Sequence, residues 1–288
     1  GRGMSAPRIE LAGLSKAFFG VPAVKGVSVS VYAGRILALI GQNGAGKSSL
    51  MNLVGGVLAP DSGEMRINGT PYRPAGPADA TRAGIAFIHQ ELNLFTNLSV
   101  AENIFIDGFP ERRYGPIRLI DRGPMRTRAA DLLAEVDLTV SPDTPVEQLS
   151  PGERQLVEVA KALHLDARII IFDEPTTSLT ARETERLFAL IDRLRQKGAA
   201  IIFISHILGD VLRIADDIAV LRATEVAIRA DGRRIAVAVD GGVEEHDIGV
   251  DGVAARHDGA ADALCYSAAG DLVAAAGARV GPPGVAAG

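Results

Sequence analysis

The chain has 288 residues, 47% of them hydrophobic and 23% charged, which is the composition of a globular protein with a sizeable core. Its formal net charge of −5 gives no reason to expect nucleic acid as a partner. Cys265 is the only cysteine, so no internal disulfide forms; no apolar run approaches the roughly 20 residues that span a bilayer, and a secretory pattern of charged then apolar residues is not seen at the start of the sequence.

Residues 8 to 33 read as short strands. Val27-Ser-Val-Ser-Val31 alternates apolar and polar positions, the pattern of a half-buried antiparallel strand, and Phe18 and Phe19 lie in a loop ahead of it. The apolar run from Arg35 to Ile40 then leads into Gly41-Gln-Asn-Gly-Ala-Gly-Lys47-Ser48 and on to Ser49-Leu-Met-Asn-Leu-Val54. This is strand, glycine-rich turn and helix, with the G-x-x-x-x-G-K-[ST] spacing of a phosphate-binding P-loop. Gly41, Gly44 and Gly46 allow the backbone angles and close approach that let successive N–H groups ring a phosphate. The helix start adds its positive dipole end. Lys47 is expected to bridge β- and γ-phosphate oxygens and the Ser48 hydroxyl to ligate Mg²⁺, with Asn43 and Ser49 completing the nucleotide-contacting set.

Beyond this helix, Pro60-Asp-Ser-Gly63 is a turn, Glu64 to Asn68 a strand, and Asn68-Gly69 a hairpin turn. Gly84-Ile-Ala-Phe-Ile88 fits a buried strand ending at His89-Gln90, where the neutral amide of Gln90 is placed to reach both a metal and a water. Residues 91 to about 165 read as mostly helical and irregular. Ser99-Val-Ala-Glu102 and Ser150-Pro-Gly-Glu153 have capping-box spacing, and Pro151 stands at a first helical position, where its missing N–H is harmless. Met125 to Val136 and Arg182 to Lys197 have helical periodicity, the latter with Leu187, Leu190, Ile191 and Leu194 on one face. Buried strands resume at Arg168 to Phe172 and Ala199 to Ile204. Strands alternating with helices from residue 35 to 222 give an α/β fold with a mostly parallel sheet.

The strand Ile169-Ile-Ile-Phe172 ends in Asp173-Glu174. Beside a P-loop, Asp173 is placed to hold Mg²⁺ and Glu174 to orient and deprotonate an attacking water. His206, after the strand ending at Ile204, is placed to donate to the γ-phosphate and to sense Glu174.

Gly41 to Ser48, Gln90, Leu149-Ser-Pro-Gly-Glu-Arg-Gln155, Asp173-Glu174 and His206, in that order, resemble the Walker A motif, Q-loop, signature motif, Walker B motif and H-loop of the ATP-binding subunit of ABC transporters. Ile88-His-Gln-Glu-Leu-Asn-Leu94, Ser150 to Lys161 and Asp173-Glu-Pro-Thr-Thr-Ser-Leu-Thr180 are similar to monosaccharide importers of the ribose, galactose and xylose type, and most of all to the first of their two nucleotide-binding halves. The resemblance covers residues 8 to 222. It implies a P-loop ATPase core with an antiparallel β subdomain and a helical subdomain, and a motor driven by ATP and Mg²⁺. Phe18 would stack on adenine, with Phe19 the alternative. Ser150 and Gly152 would contact the γ-phosphate of an ATP held by an opposing half, and Thr177 to Thr180 would form the D-loop across that interface. The implied partners are membrane permease subunits, a second nucleotide-binding half (another copy or a different chain) and, indirectly, a periplasmic sugar-binding protein. The implied location is the cytoplasmic face of the cell membrane, held there peripherally.

Two departures from the family pattern carry consequences. Pro151 and Glu153 stand where glycine and glutamine are usual. Pro151 removes one phosphate donor, Glu153 adds a charge unless the capping box takes it up, and the capping box competes with phosphate for the Ser150 hydroxyl. The second departure begins near residue 223. Residues 223 to 288 hold 18 Ala, 11 Gly and 9 Val, no Phe or Lys, and 5 Arg against 10 acids, so this stretch carries the whole net charge. The domain reading is therefore an ABC-type nucleotide-binding domain over 1–222 and a divergent tail over 223–288, frame-shifted or weakly structured. One hairpin fits there, Val226 to Ala230 against Arg233 to Val237 around Asp231-Gly232. The alternative to a motor is a truncated half that binds nucleotide without productive turnover.

Overall fold

The computed structural model describes residues 6–41, 44–89, 93–114 and 117–221, and after them five strands lying between 226 and 274. Asn43 and Gln90 lie outside the described residues.

Two sheets form the body. An antiparallel sheet takes β1 (Ile9–Phe18), β2 (Val21–Val31), β4 (Ser62–Ile67) and β5 (Thr70–Pro71) in the order β2-β1-β4-β5. The β4–β5 turn is the expected Asn-Gly hairpin, with Asn68 at φ 50° and Gly69 at φ 77°. The second sheet has a parallel core of β3 (Ile36–Gly41), β6 (Ile85–Ile88), β9 (Ile169–Asp173), β10 (Ala200–Ile204) and β11 (Asp217–Leu221), ordered β11-β3-β10-β9-β6.

The parallel strands read as unbroken apolar runs because both of their faces are covered. Ile36, Ala38, Ile170, Phe172, Ile201 and Phe203 face one core, shared with α3 (Val100–Ile104), α4 (Arg122–Glu135), α5 (Pro151–His164) and α6 (Ala181–Gln196). Leu37, Leu39, Ile169, Ile171, Ile202 and Ile204 face the other, shared with the antiparallel sheet and α1 (Lys47–Val54). Short helices α2 (Pro77–Arg82) and α7 (Leu208–Ile214) complete the layers. Among the described residues, no helix is long and apolar enough to cross a membrane.

The helical region departs from expectation in one place. A hairpin, β7 (Glu111–Tyr114) with β8 (Ile117–Ile120), projects between α3 and α4. Glu111, Arg112, Leu119 and Ile120 stand exposed on it, and four residues per strand is too short a run for periodicity to declare itself.

Asn103 holds the approach to α3. Only 1% accessible, it accepts from the Phe95 N–H at 2.7 Å and donates to Phe95 O at 3.0 Å and Ser99 O at 2.9 Å. Asn103→Ala removes the acceptor of the Phe95 N–H and the side-chain donor to Phe95 O and Ser99 O, and leaves a void where a fully buried side chain stood. It is expected to destabilise the chain by about 2 kcal/mol, read as a fall in Tm of roughly 5 °C.

After Leu221 the strand order differs from the sequence expectation. β12 (Val226–Ile228) does not pair with the next strand but adds antiparallel to β11, with Leu221 opposite Val226 and Ala219 opposite Ile228. β13 (Arg234–Val239) pairs instead with β14 (Gly242–Asp247), closing at Val239 opposite Gly242. Asp231-Gly232 and Asp240-Gly241 offer the same turn chemistry, and the open edge of β11 gives Val226 to Ile228 a ready partner. Two further short strands, Cys265–Tyr266 and Leu272–Ala274, pair with each other.

Candidate active site

The central strand β3, buried on both faces, ends at Gly41 and delivers the glycine-rich turn to the carboxyl edge of the parallel sheet. Gly46, at φ 93°, is the N-cap of α1 and supplies no side-chain cap. The first-turn N–H groups of α1 thus face the loop without a side-chain acceptor from that position, the arrangement that receives an anion. Lys47 begins the helix and is 9% accessible, its Nζ donating to the Gly41 carbonyl. An ammonium so far out of water is stable only with such partners, and a phosphate meets that demand. Ser48 and Ser49 follow in the first turn of α1.

Ser48 lines a cavity of about 520 Å³ together with His89, Asp173, Glu158 and Lys161. Of the three metal-holding residues expected from the sequence, Ser48 and Asp173 therefore face one space, and Gln90 lies outside the described residues. Mg²⁺ is normally held by one or two protein oxygens plus substrate phosphates and water, which is the donor set these two residues provide. His89, which sequence reasoning passed over as the residue before Gln90, stands with Nδ1 3.9 Å from Asp173 Oδ2.

Glu174 leaves the end of β9 in the left-handed region at φ 48°, a conformation that costs a non-glycine residue about 1–2 kcal/mol. Its N–H donates to Ile204 O at 2.9 Å, fixing the turn to the end of β10. There the carboxylate meets His206, with Oε2 and Nδ1 3.2 Å apart. Asp173, Glu174 and His206 thus converge at the ends of two adjacent strands, as the sequence placed them.

Ser150 and Gly152 stand elsewhere, at the start of α5. The capping box forms: Ser150 Oγ accepts from the Glu153 N–H at 3.2 Å, and Glu153 Oε2 accepts from the Ser150 N–H at 2.8 Å. Glu153 is therefore taken up by the cap. A second carboxylate, Glu183 of α6, lies against the same edge with the Ser150 hydroxyl 3.2 Å from its Oε1. Sequence reasoning missed Glu183, although Thr180-x-x-Glu183 has the spacing of a third capping box, and that box is formed.

Glu158 was also missed, because Arg154, Gln155 and Lys161 flank it on α5 and it reads as a solvated charge. It is 7% accessible, and its Oε1 has no hydrogen-bond partner among the described residues. Burial raises its pKa above the ordinary 4.5, opposed by Lys161 and by a hydrogen bond from the Asn93 backbone. The fold therefore favours the protonated form: the stabilisation is complete below pH 4.5 and is lost as pH rises through the folded-state pKa. Glu158→Gln removes the buried charge and is expected to unfold about 2–4 °C higher at pH 8. Thermal melts should show that gain shrinking as the pH is lowered toward 4.5.

Phe18 ends β1 at 39% exposure, and Phe19 follows it fully exposed at φ 50°. The hairpin carrying them is brought to the glycine-rich turn by β2, whose Ala23 carbonyl lies against Gly46.

A P-loop at the carboxyl edge of a parallel sheet, with Asp173 and Glu174 ending a neighbouring strand, defines a P-loop nucleotide-binding protein of α/β architecture. The antiparallel sheet on one side and the helices bearing Ser150 on the other narrow the class. The family model described as ABC transporter matches residues 24–177, and the chain belongs to that family. It is 43% identical over 84% of its length to a ribose import ATP-binding protein of Jannaschia sp. (strain CCS1). It is 46% identical over 76% of its length to an arabinose import ATP-binding protein of Rhizobium meliloti (strain 1021). The chain spans 45% and 42% of those two relatives' lengths. Among solved structures it matches the ADP conformation of the ABC transporter ATP-binding cassette MJ1267, with a TM-score of 0.69 and 26% identity over 78% of this chain and 92% of that one. It also matches a dimeric post-hydrolysis state of the cassette MJ0796 bound to ADP and Pi, with a TM-score of 0.63 and 26% identity over 76% of this chain and 96% of that one.

Proposed function

We propose that this chain is an ATP-hydrolysing motor half of an ABC importer for a monosaccharide, and that its P-loop is one side of a composite site closed by a second nucleotide-binding half. The observation that carries the reading is the Glu174–His206 pair at the strand ends beside the P-loop. Gly41, Gly44, Gly46 and the first turn of α1 cradle the phosphates, and Lys47 turns from the Gly41 carbonyl to the β- and γ-oxygens. Ser48 and Asp173 hold Mg²⁺, with Gln90 as a further ligand; the ion supplies charge neutralisation for the transferred phosphoryl group. Glu174 takes the proton of the attacking water, and His206 fixes the carboxylate and donates to the γ-phosphate. Phe18 stacks on adenine, Asn43 and Ser49 add phosphate contacts, and Ser150 and Gly152 reach the γ-phosphate held by the opposing half.

The partners in this reading are permease subunits, a second half supplied by another copy or another chain, and a periplasmic sugar-binding protein acting through the permease. The motor then works at the cytoplasmic face of the membrane, with residues 1–222 as the nucleotide-binding domain and 223–288 as a divergent tail. The sugar relatives named above support this assignment of cargo class.

The test is ATP turnover by the purified chain, alone and with permease in proteoliposomes. Phosphate release that rises when binding protein and a pentose or hexose are added supports the reading. ATP binding with neither turnover nor dimerisation, permease included, refutes it.

A further inference from the structure

The edge of α5 that would meet the γ-phosphate of the opposing half is occupied by a carboxylate of the same chain. The Ser150 hydroxyl donates to Glu183 Oε1 at 3.2 Å, and the same carboxylate lies against the backbone of Gly152. The packing is close: a Cβ added to Gly152 would lie 2.5 Å from Glu183 Oε1 and 2.8 Å from its Cδ. The other oxygen has a separate task. Oε2 accepts from the Thr180 N–H at 2.9 Å and from the Thr180 hydroxyl at 2.8 Å, forming the capping box that starts α6. One oxygen holds the helix and the other holds the phosphate-recognising edge.

We propose that Glu183 is a gate on that edge, an internal anion that keeps the Ser150 hydroxyl engaged and covers Gly152 until an incoming γ-phosphate displaces it.

The proposal rests on the composite-site reading above and adds its regulation. A hydroxyl has one proton, so the Ser150 contact with Oε1 and a phosphate contact exclude each other at full strength. Two anions sharing this edge also repel. Glu183 is ionised at neutral pH: the Thr180 N–H lowers its pKa most and the Thr180 hydroxyl next, desolvation opposes them by less, and Ser150 adds a smaller lowering. The contact with Ser150 is made by Oε1 alone and the cap of α6 by Oε2, so loss of the first does not by itself remove the cap. A Cβ at Gly152 would overlap the carboxylate where it lies, so a side chain there would push Glu183 from this position. The Pro151 departure fits the same arrangement. Proline has no N–H to offer a phosphate, which leaves Ser150 and Gly152 as donors, and Glu183 bonds the first and lies against the second.

The experiment compares Glu174→Gln with Glu174→Gln plus Glu183→Gln in the full chain, following dimerisation by sedimentation as Mg-ATP is raised. Glutamine keeps the volume and can fill the third position of a capping box, but it removes the charge. The double variant is expected to dimerise at about tenfold lower ATP, with Tm in the absence of ATP within a degree or two of the parent. If the glutamine lowers Tm further, Glu183→Asp, which withdraws the oxygen from Ser150 while keeping a carboxylate on Thr180, must also lower the ATP requirement. Dimerisation at an unchanged or higher ATP concentration overturns the gate and leaves the composite site standing. If neither chain dimerises at saturating ATP, with or without permease, the composite site and the gate fall together.

Discussion

Glu174→Gln is expected to slow ATP turnover by about 10²–10⁴-fold while leaving nucleotide binding within a factor of about two, because the phosphate cradle of Gly41 to Ser48 contributes none of its contacts through this residue. The size of the effect follows from placement. Glu174 is held in the left-handed region by its own N–H to Ile204 O, and its carboxylate is held by His206. A glutamine takes the same backbone and the same hydrogen bond from the imidazole but accepts no proton from water. Phosphate release and fluorescent-nucleotide titration, run on one preparation, separate the two effects. With hydrolysis blocked, the Mg-ATP dimer should accumulate where the wild type turns over. A loss of turnover below about threefold would exclude Glu174 as the base.

How much of this was legible in the sequence depended on the distance over which each signal acts. The P-loop, the acids after β9 and the parallel strands are local statements: the G-x-x-x-x-G-K-S spacing, an apolar run ending in Asp173-Glu174, and Ile169–Asp173 with no polar residue before its end. Each is written within ten residues, and the fold only has to bring the strand ends to one edge. The convergence of Glu174 and His206 followed from parallel order alone, since β9 and β10 are neighbours. Glu183 was different. Its capping box is local and readable, but its contact with Ser150 crosses 33 residues and depends on how the starts of α5 and α6 are packed. Glu158 was hidden for a related reason: on the helix wheel it reads as a solvated charge, and only the packing around α5 buries it. The tail shows the limit from another side, where two Asp-Gly turns of equal merit left the pairing to an edge strand that the local sequence does not mention.

Gly46→Ala is expected to lower ATP affinity by about 10²-fold, and Gly44→Ala by no more than about tenfold, since each charge-assisted hydrogen bond lost is worth about 1.5–3 kcal/mol. Both glycines have left-handed backbones, at φ 93° and 86°, so both alanines carry the same strain of roughly 1–2 kcal/mol. Space separates them. A Cβ on Gly44 meets no described atom within 4 Å, whereas on Gly46 it would lie 2.1 Å from Ala23 O, far inside contact distance. That carbonyl is backbone of β2 and has no rotamer by which to yield, so either β2 shifts or the start of α1 does. A shift of α1 withdraws first-turn N–H groups from the phosphate, and a shift of β2 carries the Phe18 hairpin away from the cradle. Titration with a fluorescent ATP analogue, alongside thermal melts without nucleotide, distinguishes loss of the cradle from loss of the fold. Equal affinity losses in the two variants would mean that backbone strain alone governs the loop, and that the contact between β2 and the P-loop has no part in holding nucleotide.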